Sequence, residues 1–249
     1  MQKIKFIALA ILSTMITAGY AASTDNKQDI KPLWDYWYTI TVDKKIPYAY
    51  YNERVEKKND RLFIQTHVWK LEEDFINEEQ LGAFAANNAE LTPLFYNFHS
   101  KYRQTETNVD GTVSEKNVLT VKVRKGPTED TAPMKRVLKE KVFFSQFFPV
   151  WLGMKLPSLK PSKSIPFEVV LEDNIELEFV PTQGRVRLEA PDEFAKSTKT
   201  QKIWIYFRGT EGFWWVDSSG AALKIEMPKT KTVVERSTKE KATKFITTN

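Results

Sequence analysis

From Trp34 onward the chain alternates apolar and polar residues in short runs broken by turn-forming clusters, the pattern of successive β-strands. Trp34 to Val42 is rich in aromatic and β-branched residues and predicts a strand. Asp43-Lys44-Lys45 predicts a turn. An extended run resumes at Ile46-Pro47-Tyr48-Ala49-Tyr50-Tyr51, with Pro47 suited to a strand start or an edge. Arg54–Glu56, the turn Lys57–Asp60 and Arg61–Leu71 form the next hairpin. In its second arm Leu62, Ile64, Thr66 and Val68 share one face, and Phe63, Gln65, His67, Trp69 and Leu71 share the other. Neither face is wholly polar. The sheet is therefore covered on both sides here, or its second face is a binding surface.

Further along the period changes. Asn77 with Gln80 three residues later makes a capping-box pattern, and Leu81, Phe84 and Ala85 follow at helical spacing, so a short helix is expected near Asn77–Asn87. Leu94–Thr107 returns to strand character, Asp110-Gly111 reads as a hairpin turn, and Val118–Arg124 as the return strand. Residues 126–133 form the clearest loop and divide the chain near its middle. After an extended piece near Arg136–Val142, a short helix is expected from Ser145, as its cap, to Trp151; Pro149 argues against one long helix. Strands are expected at Phe167–Leu171, Ile175–Val180, Arg185–Ala190, Lys202–Arg208, Phe213–Val216, Ala222–Met227 and Thr232–Arg236, with Thr182-Gln183-Gly184 among the turns. The tail from Ser237 supports a short helix at best.

This spacing predicts a mainly β fold: a curved antiparallel sheet, sandwich or half-barrel with one or two short helices, because the helices that a parallel sheet needs between its strands are missing. Residues 32–126 make a first β-rich half. Residues 133–236 make a second half of the same domain or a second lobe, and 237–249 a polar tail.

The N-terminus changes the setting. Lys3 and Lys5, the apolar run Phe6–Ile16 and the small residues Gly19 and Ala21 predict a signal peptide over 1–21, cut after Ala21, then a flexible leader over 22–31. The apolar run is shorter than the roughly 20 residues of a spanning helix. An exported protein without a membrane span after cleavage is expected, in the periplasm or secreted. Losing Lys3 and Lys5 lowers the net charge from +5 to +3, a mild surface property that argues, together with export, against a nucleic-acid partner.

Composition then removes chemistry. With no Cys there is no disulfide, thiolate zinc site, Cys nucleophile or lipid-anchoring Cys. Nucleophile-elbow, phosphate-loop, dinucleotide and zinc-protease motifs are missing from the sequence. His67 and His99 are the only histidines; each lies on a strand face beside aromatics, where a hydrogen-bonded structural role is the commoner one. The acidic pairs Glu72-Glu73-Asp74, Glu78-Glu79, Glu172-Asp173 and Asp192-Glu193 read as solvated turns and helix N-termini. No catalytic residue, metal or cofactor is assigned.

Aromatics are the positive signal at 13% of the chain. They gather at Trp34–Tyr38, Tyr48–Tyr51, Phe95–Tyr102, Phe143–Trp151 and Trp204–Trp215. Trp204 and Tyr206 face one way, and Trp214 and Trp215 face opposite ways. Two arrangements fit. In one, one set is core and the other lies under a helix or loop. In the other, Trp204, Tyr206, Trp214 and Trp215 line an apolar groove closed by Phe147 and Trp151.

The run Phe213-Trp214-Trp215-Val216-Asp217-Ser218-Ser219-Gly220 through Pro228, with Val234–Ala242, resembles the close of a β-rich domain found N-terminal to bacterial transglutaminase-like domains. Related periplasmic proteins of the DUF3108 type look similar. The opening, Trp37-Tyr38 through Ile46-Pro47-Tyr48-Ala49-Tyr50, fits as well. The resemblance implies a curved antiparallel sheet in the envelope of a Gram-negative bacterium. No catalytic residue carries over, since the enzymatic domain of those relatives and its Cys have no counterpart here.

Three function classes follow. The first is a non-catalytic exported envelope protein, binding or accessory, whose aromatic-lined sheet takes a lipid, another apolar ligand or a segment of an envelope protein. The second is an assembly module acting through exposed sheet edges. The third is a hydrolase built on carboxylates in a cleft. Oligomeric state is not readable from the sequence.

Overall fold

A computed structural model describes residues 32–43, 45–72, 74–126 and 129–246. The predicted leader and signal peptide lie outside the described residues. The first half runs β1 (Trp34–Val42), β2 (Ile46–Lys58), β3 (Arg61–Glu72), β4 (Phe75–Ala86), β5 (Pro93–Tyr102), β6 (Thr105–Val113) and β7 (Val118–Lys125). Two short strands follow, β8 (Glu129–Asp130) and β9 (Met134–Val137). The second half comprises β10 (Val142–Phe144), α1 (Phe148–Lys155), β11 (Ile165–Val170), β12 (Thr182–Leu188), α2 (Glu193–Thr198), β13 (Gln201–Phe207), β14 (Thr210–Val216), β15 (Ala222–Met227), β16 (Thr232–Ser237) and α3 (Lys239–Thr243). Strand makes up 58% and helix 14%, so the fold is mainly β, as the turn spacing predicts.

All strands join one open sheet in the order β10-β11-β12-β13-β14-β15-β16-β1-β2-β3-β4-β5-β6-β7-β8, with β9 also on β7. Each half is an antiparallel meander, except that β10 pairs parallel with β11. The halves join where β16 pairs with β1, Ile40 opposite Val234 and Tyr38 opposite Arg236. Arg236 fastens this seam: it donates to Asp217 Oδ2 (2.8 Å) and to the Ala222 carbonyl (2.9 Å), and its guanidinium lies 3.7 Å from the Tyr36 ring centroid.

In the long strands one parity is mostly buried. Ala49, Tyr51 and Val55 on β2, Leu62, Ile64 and Val68 on β3, and Val186, Ile203, Ile225 and Val234 in the second half form this inner face. What fills it is the segment 143–159. Phe143, Phe144, Phe147, Leu152, Leu156 and Leu159 are all buried, and the successive α1 residues Phe148–Leu152 are buried too, so this turn of helix needs neighbours on more than one side. Phe148 meets Phe167 of β11 and Trp214 of β14, while Phe144 meets Tyr96 of β5 and Thr66 of β3 donates to Gln146 Oε1 (3.2 Å). One plug touches strands from both halves, which requires the sheet to curl around it. Pro149 stands in the first turn of α1, where its missing N–H costs nothing.

Several sequence expectations are corrected. The helix expected at Asn77–Asn87 is strand β4. Asn77, Leu81, Ala83 and Ala85 alternate inward, and Phe84 stacks between Phe63 and Phe95 on the other face. The helical spacing of Leu81, Phe84 and Ala85 fits two periods at once. Asp110-Gly111 is not a turn but the middle of β6, opposite Asn97 and Tyr96. A Cβ at Gly111 would lie 1.9 Å from Tyr96 Cε1, so glycine is the seat of that ring. Gly184, read as part of a turn, sits inside β12 in the same way, beneath Phe167. Ile175–Val180 is not a strand: Ile175–Leu177 is a single 3-10 turn, and Phe179 then folds inward against Tyr96. Helix α2 goes unforeseen, although its start is in view: Asp192, read as a turn or helix-start acid, caps it by accepting from Ala195 N (2.9 Å).

Candidate functional site

The six aromatics of the expected groove divide between the two faces. Phe147, Trp151 and Trp214 point inward, and the Phe148 ring that meets Trp214 also stacks on Trp151. Trp204, Tyr206 and Trp215 point outward. Trp215 is 3% exposed: α2 lies over it, Phe194 meets its ring edge to face, and its Nε1 donates to Asp192 (3.0 Å). Burial raises the Asp192 carboxyl, but the Ala195 N–H, Lys202 and Trp215 outweigh it and bring the pKa down to about 2. Trp204 and Tyr206 stack on each other, with the Arg187 guanidinium 4.2 Å from the Trp204 centroid. The structure thus builds no single groove from the six. It packs four of them and leaves Trp204 and Tyr206 on the outer surface.

The outer face of the first half is different. Strand alternation puts Trp37 of β1, Tyr50 of β2, and His67 and Trp69 of β3 side by side there. Trp37 and Trp69 stack at 6.0 Å, Tyr50 and Trp69 at 4.8 Å, and Trp69 and His67 at 3.7 Å, all nearly parallel. None of these rings belongs to the hydrophobic core or is packed against it. Each is only partly buried. Lys239 at the start of α3 reaches over one end of the row, 5.6 Å from the Trp37 centroid.

A polar row runs on from the rings across five strands, β3 to β7. His67 stands opposite Gln80, Gln80 opposite His99, His99 opposite Asn108, and Asn108 opposite Arg124. His67 Nε2 donates to Glu78 Oε1, which also accepts from Gln80 Nε2 at 2.5 Å, and His99 Nδ1 faces Asn108 Oδ1 at 3.0 Å. Burial lowers the His67 pKa more than Glu78 raises it, so its ring is neutral at ordinary pH. Burial raises the Glu78 carboxyl, yet the bonds from Gln80 and His67 hold it below its usual range. The result is a charged carboxylate held between amide and imidazole groups beside a half-open aromatic stack.

Both histidines therefore take up hydrogen-bonded places on one surface. Reading Arg61–Leu71 as two-faced locates that surface on β3. Glu78 and Gln80 stay hidden because β4 reads as a helix, and Trp37 and Tyr50 because a neighbour across strands leaves no trace in spacing.

The remaining acids have structural roles. Glu172, read as a solvated turn, is fully buried: Ser145 Oγ donates to it at 2.5 Å and the Gln146 N–H at 3.2 Å, so Ser145 does not cap a helix. Burial pushes its carboxyl up to about 8. Glu53, also buried, accepts from Trp34 Nε1 at 2.9 Å and is pushed up to about 7. Glu72 accepts from Tyr48 Oη (2.8 Å) and Asn77 Nδ2 (3.1 Å), and Glu79 pairs with Lys70 at 2.5 Å. A register shift between β1 and β2 at this point leaves Tyr48 as the extra residue of a bulge. No group of three or more metal-ligating side chains able to hold an ion occurs among the described residues.

The sequence matches no family model and no curated protein. Among solved structures, a DUF1089 family protein from Pseudomonas aeruginosa aligns over 83% of this chain and 98% of its own, with 11% identity and a TM-score of 0.41. A likeness of that size carries no argument about fold or function.

Proposed function

We propose that this chain is a non-catalytic accessory protein of the bacterial envelope that binds a segment of a partner protein on the outer face of its first half. The observation that carries this is the row Trp37–Tyr50–Trp69–His67, stacked, partly exposed and outside the core. Tryptophan and tyrosine are enriched at protein interfaces, and here they lie on a sheet face together with fixed amide and carboxylate groups. The rings spend faces on one another, and Lys239 lies over Trp37. That favours a partner chain laid across them over a sugar, which would need an open ring face, or a small ligand, which would need a cleft. Export rests on the reading of residues 1–21 and is part of the proposal.

The sheet edges support the assembly-module reading less. Edge strand β10 is wholly buried, and at the other edge β9 is four residues long with Lys135 and Arg136 on it. Short, charged edges resist strand addition.

A photo-crosslinking residue at Gln80, on the proposed surface, should yield one discrete adduct in intact cells. The same residue at Gln183, on the outer face of the second half, should not. Trp69→Ala should abolish the adduct. Equal labelling from both positions, or an adduct indifferent to Trp69, would refute the reading.

A further inference from the structure

Hairpin tips are normally the most polar part of a meander, because turns favour Gly, Asn, Asp and Ser. One end of the first half obeys this rule, with Asn59-Asp60, Asn87-Asn88 and Ser114–Asn117 at its turns. The opposite end breaks it. Ile46 is 56% exposed after the β1–β2 turn, Phe75 50% and Ile76 42% after the β3–β4 turn, and Tyr102 43% before the β5–β6 turn. Four of the nine exposed large hydrophobics of the described chain thus stand on three successive tips.

These tips adjoin one another. Tyr48 reaches Glu72, and the Arg103 guanidinium lies over Phe75 (5.0 Å) and Tyr102 (5.7 Å), joining the β3–β4 and β5–β6 turns. The turn 228–231 comes alongside through Lys231 and Asp43, 3.0 Å apart. Cations stand on or beside the same turns: Lys45, Arg103, Lys125 and Lys229, together with Lys101 and Lys231, which pair with Glu106 and Asp43. The carboxylates here are largely engaged, Asp43 with Lys231, Glu106 with Lys101 (3.8 Å) and Glu72 with Tyr48 and Asn77, while Asp74 is exposed.

We infer that this end of the sheet docks on an anionic lipid surface, the tip residues Ile46, Phe75, Ile76 and Tyr102 entering the headgroup boundary and the adjacent lysines and Arg103 meeting lipid phosphates. Apolar and aromatic side chains among cations suit that boundary: the rings and aliphatics bury shallowly, and the cations gain from the negative surface potential. A protein partner would be expected to match the apolar tips without requiring the positive charge beside them. Among the described residues no helix is long and apolar enough to cross a membrane, so the contact is peripheral. The inference is independent of the outer-face proposal, since the tips lie at the strand ends and the aromatic row on the sheet.

Flotation with vesicles tests it, using the protein purified in the form its own cells leave it. Vesicles of equal phosphatidylglycerol and phosphatidylcholine should carry the protein. Pure phosphatidylcholine should carry far less, and raised salt should release it. Phe75→Ser with Ile76→Ser should lower partitioning about tenfold or more, since two apolar anchors are lost. Leu33→Ser with Val137→Ser, two exposed apolar residues away from these tips, should leave it unchanged. Phe75→Trp should show a blue-shifted emission, quenched by brominated lipid, on adding the anionic vesicles. Failure to float with anionic vesicles, equal binding to neutral ones, or a loss shared by the Leu33/Val137 variant would overturn the inference. Circular dichroism and Tm confirm that each variant is folded.

Discussion

The two halves of the sheet carry aromatic side chains on both faces and treat them differently. In the second half residues 143–159 fill the inside, and outside α2 lies over Trp215 while Trp204 and Tyr206 stay on the surface. In the first half the inside is covered by the same plug, but outside Trp37, Tyr50, Trp69 and His67 stack on one another, with Lys239 of α3 over the Trp37 end. The same sequence feature has two outcomes, decided by how far the chain's own helix covers it: α2 buries Trp215, whereas α3, packed against β1 and β2, leaves the row only partly buried. A two-faced strand thus signals a function only where its second cover comes from another molecule.

The largest expected effect breaks the shared interior. Phe147→Ala removes a fully buried ring of the plug and should cost about 3–5 kcal/mol in a denaturant titration. A cost below about 1 kcal/mol would mean that the plug is not the common core.

The next effect concerns the plug's buried acid. In the folded chain Glu172 holds its proton up to about pH 8, whereas an ordinary glutamate releases it near 4.5. Between those values the unfolded chain binds fewer protons, so stability falls as pH rises, by up to ~1.4 kcal/mol per unit, and levels off above about 8. Glu53 adds the same slope up to about 7. Glu172→Gln keeps an acceptor for the Gln146 N–H and a donor toward Ser145, and should flatten the dependence while raising stability at pH 8. An unchanged slope in the variant would show that Glu172 is ionised when folded.

The two outer faces are compared by Trp215→Ala and Trp69→Ala. Trp215 lies under α2 and donates to Asp192, so its loss should cost roughly 3 kcal/mol or more. Trp69 is half-open and stacked, so its loss should cost about 1 kcal/mol. Equal costs would erase the difference between the halves.

The smallest effect is at Tyr96, whose buried hydroxyl has no hydrogen-bond partner among the described residues. Tyr96→Phe should be neutral or stabilise by up to ~1 kcal/mol. A clear loss of stability would mean that the hydroxyl has an acceptor.

How far the sequence carries this account depends on the element. Runs such as Trp34–Val42 and Ala222–Met227 are legible to the residue, since β-branched and aromatic side chains alternate there without a rival pattern. Gly111 and Gly184 mislead because glycine serves two ends, a turn or the seat of a ring from the next strand, and only the pairing distinguishes them. β4 misleads because Ala and Gly weaken its alternation. The candidate site is half legible. His67 and Trp69 stand out as a second apolar face on β3, but their neighbours Trp37, Tyr50, Glu78 and Gln80 meet them through register, which spacing does not encode.

The central claim is that the outer face of the first half is a contact surface occupied in the cell. Hydroxyl-radical footprinting of the protein in intact cells and after purification tests it most directly. The account predicts that Trp37, Tyr50 and Trp69 are oxidised slowly in cells and several-fold faster once purified, while Trp204 and Tyr206 react alike in both states. Equal reactivity of Trp69 in both states, with the fold intact, would contradict it.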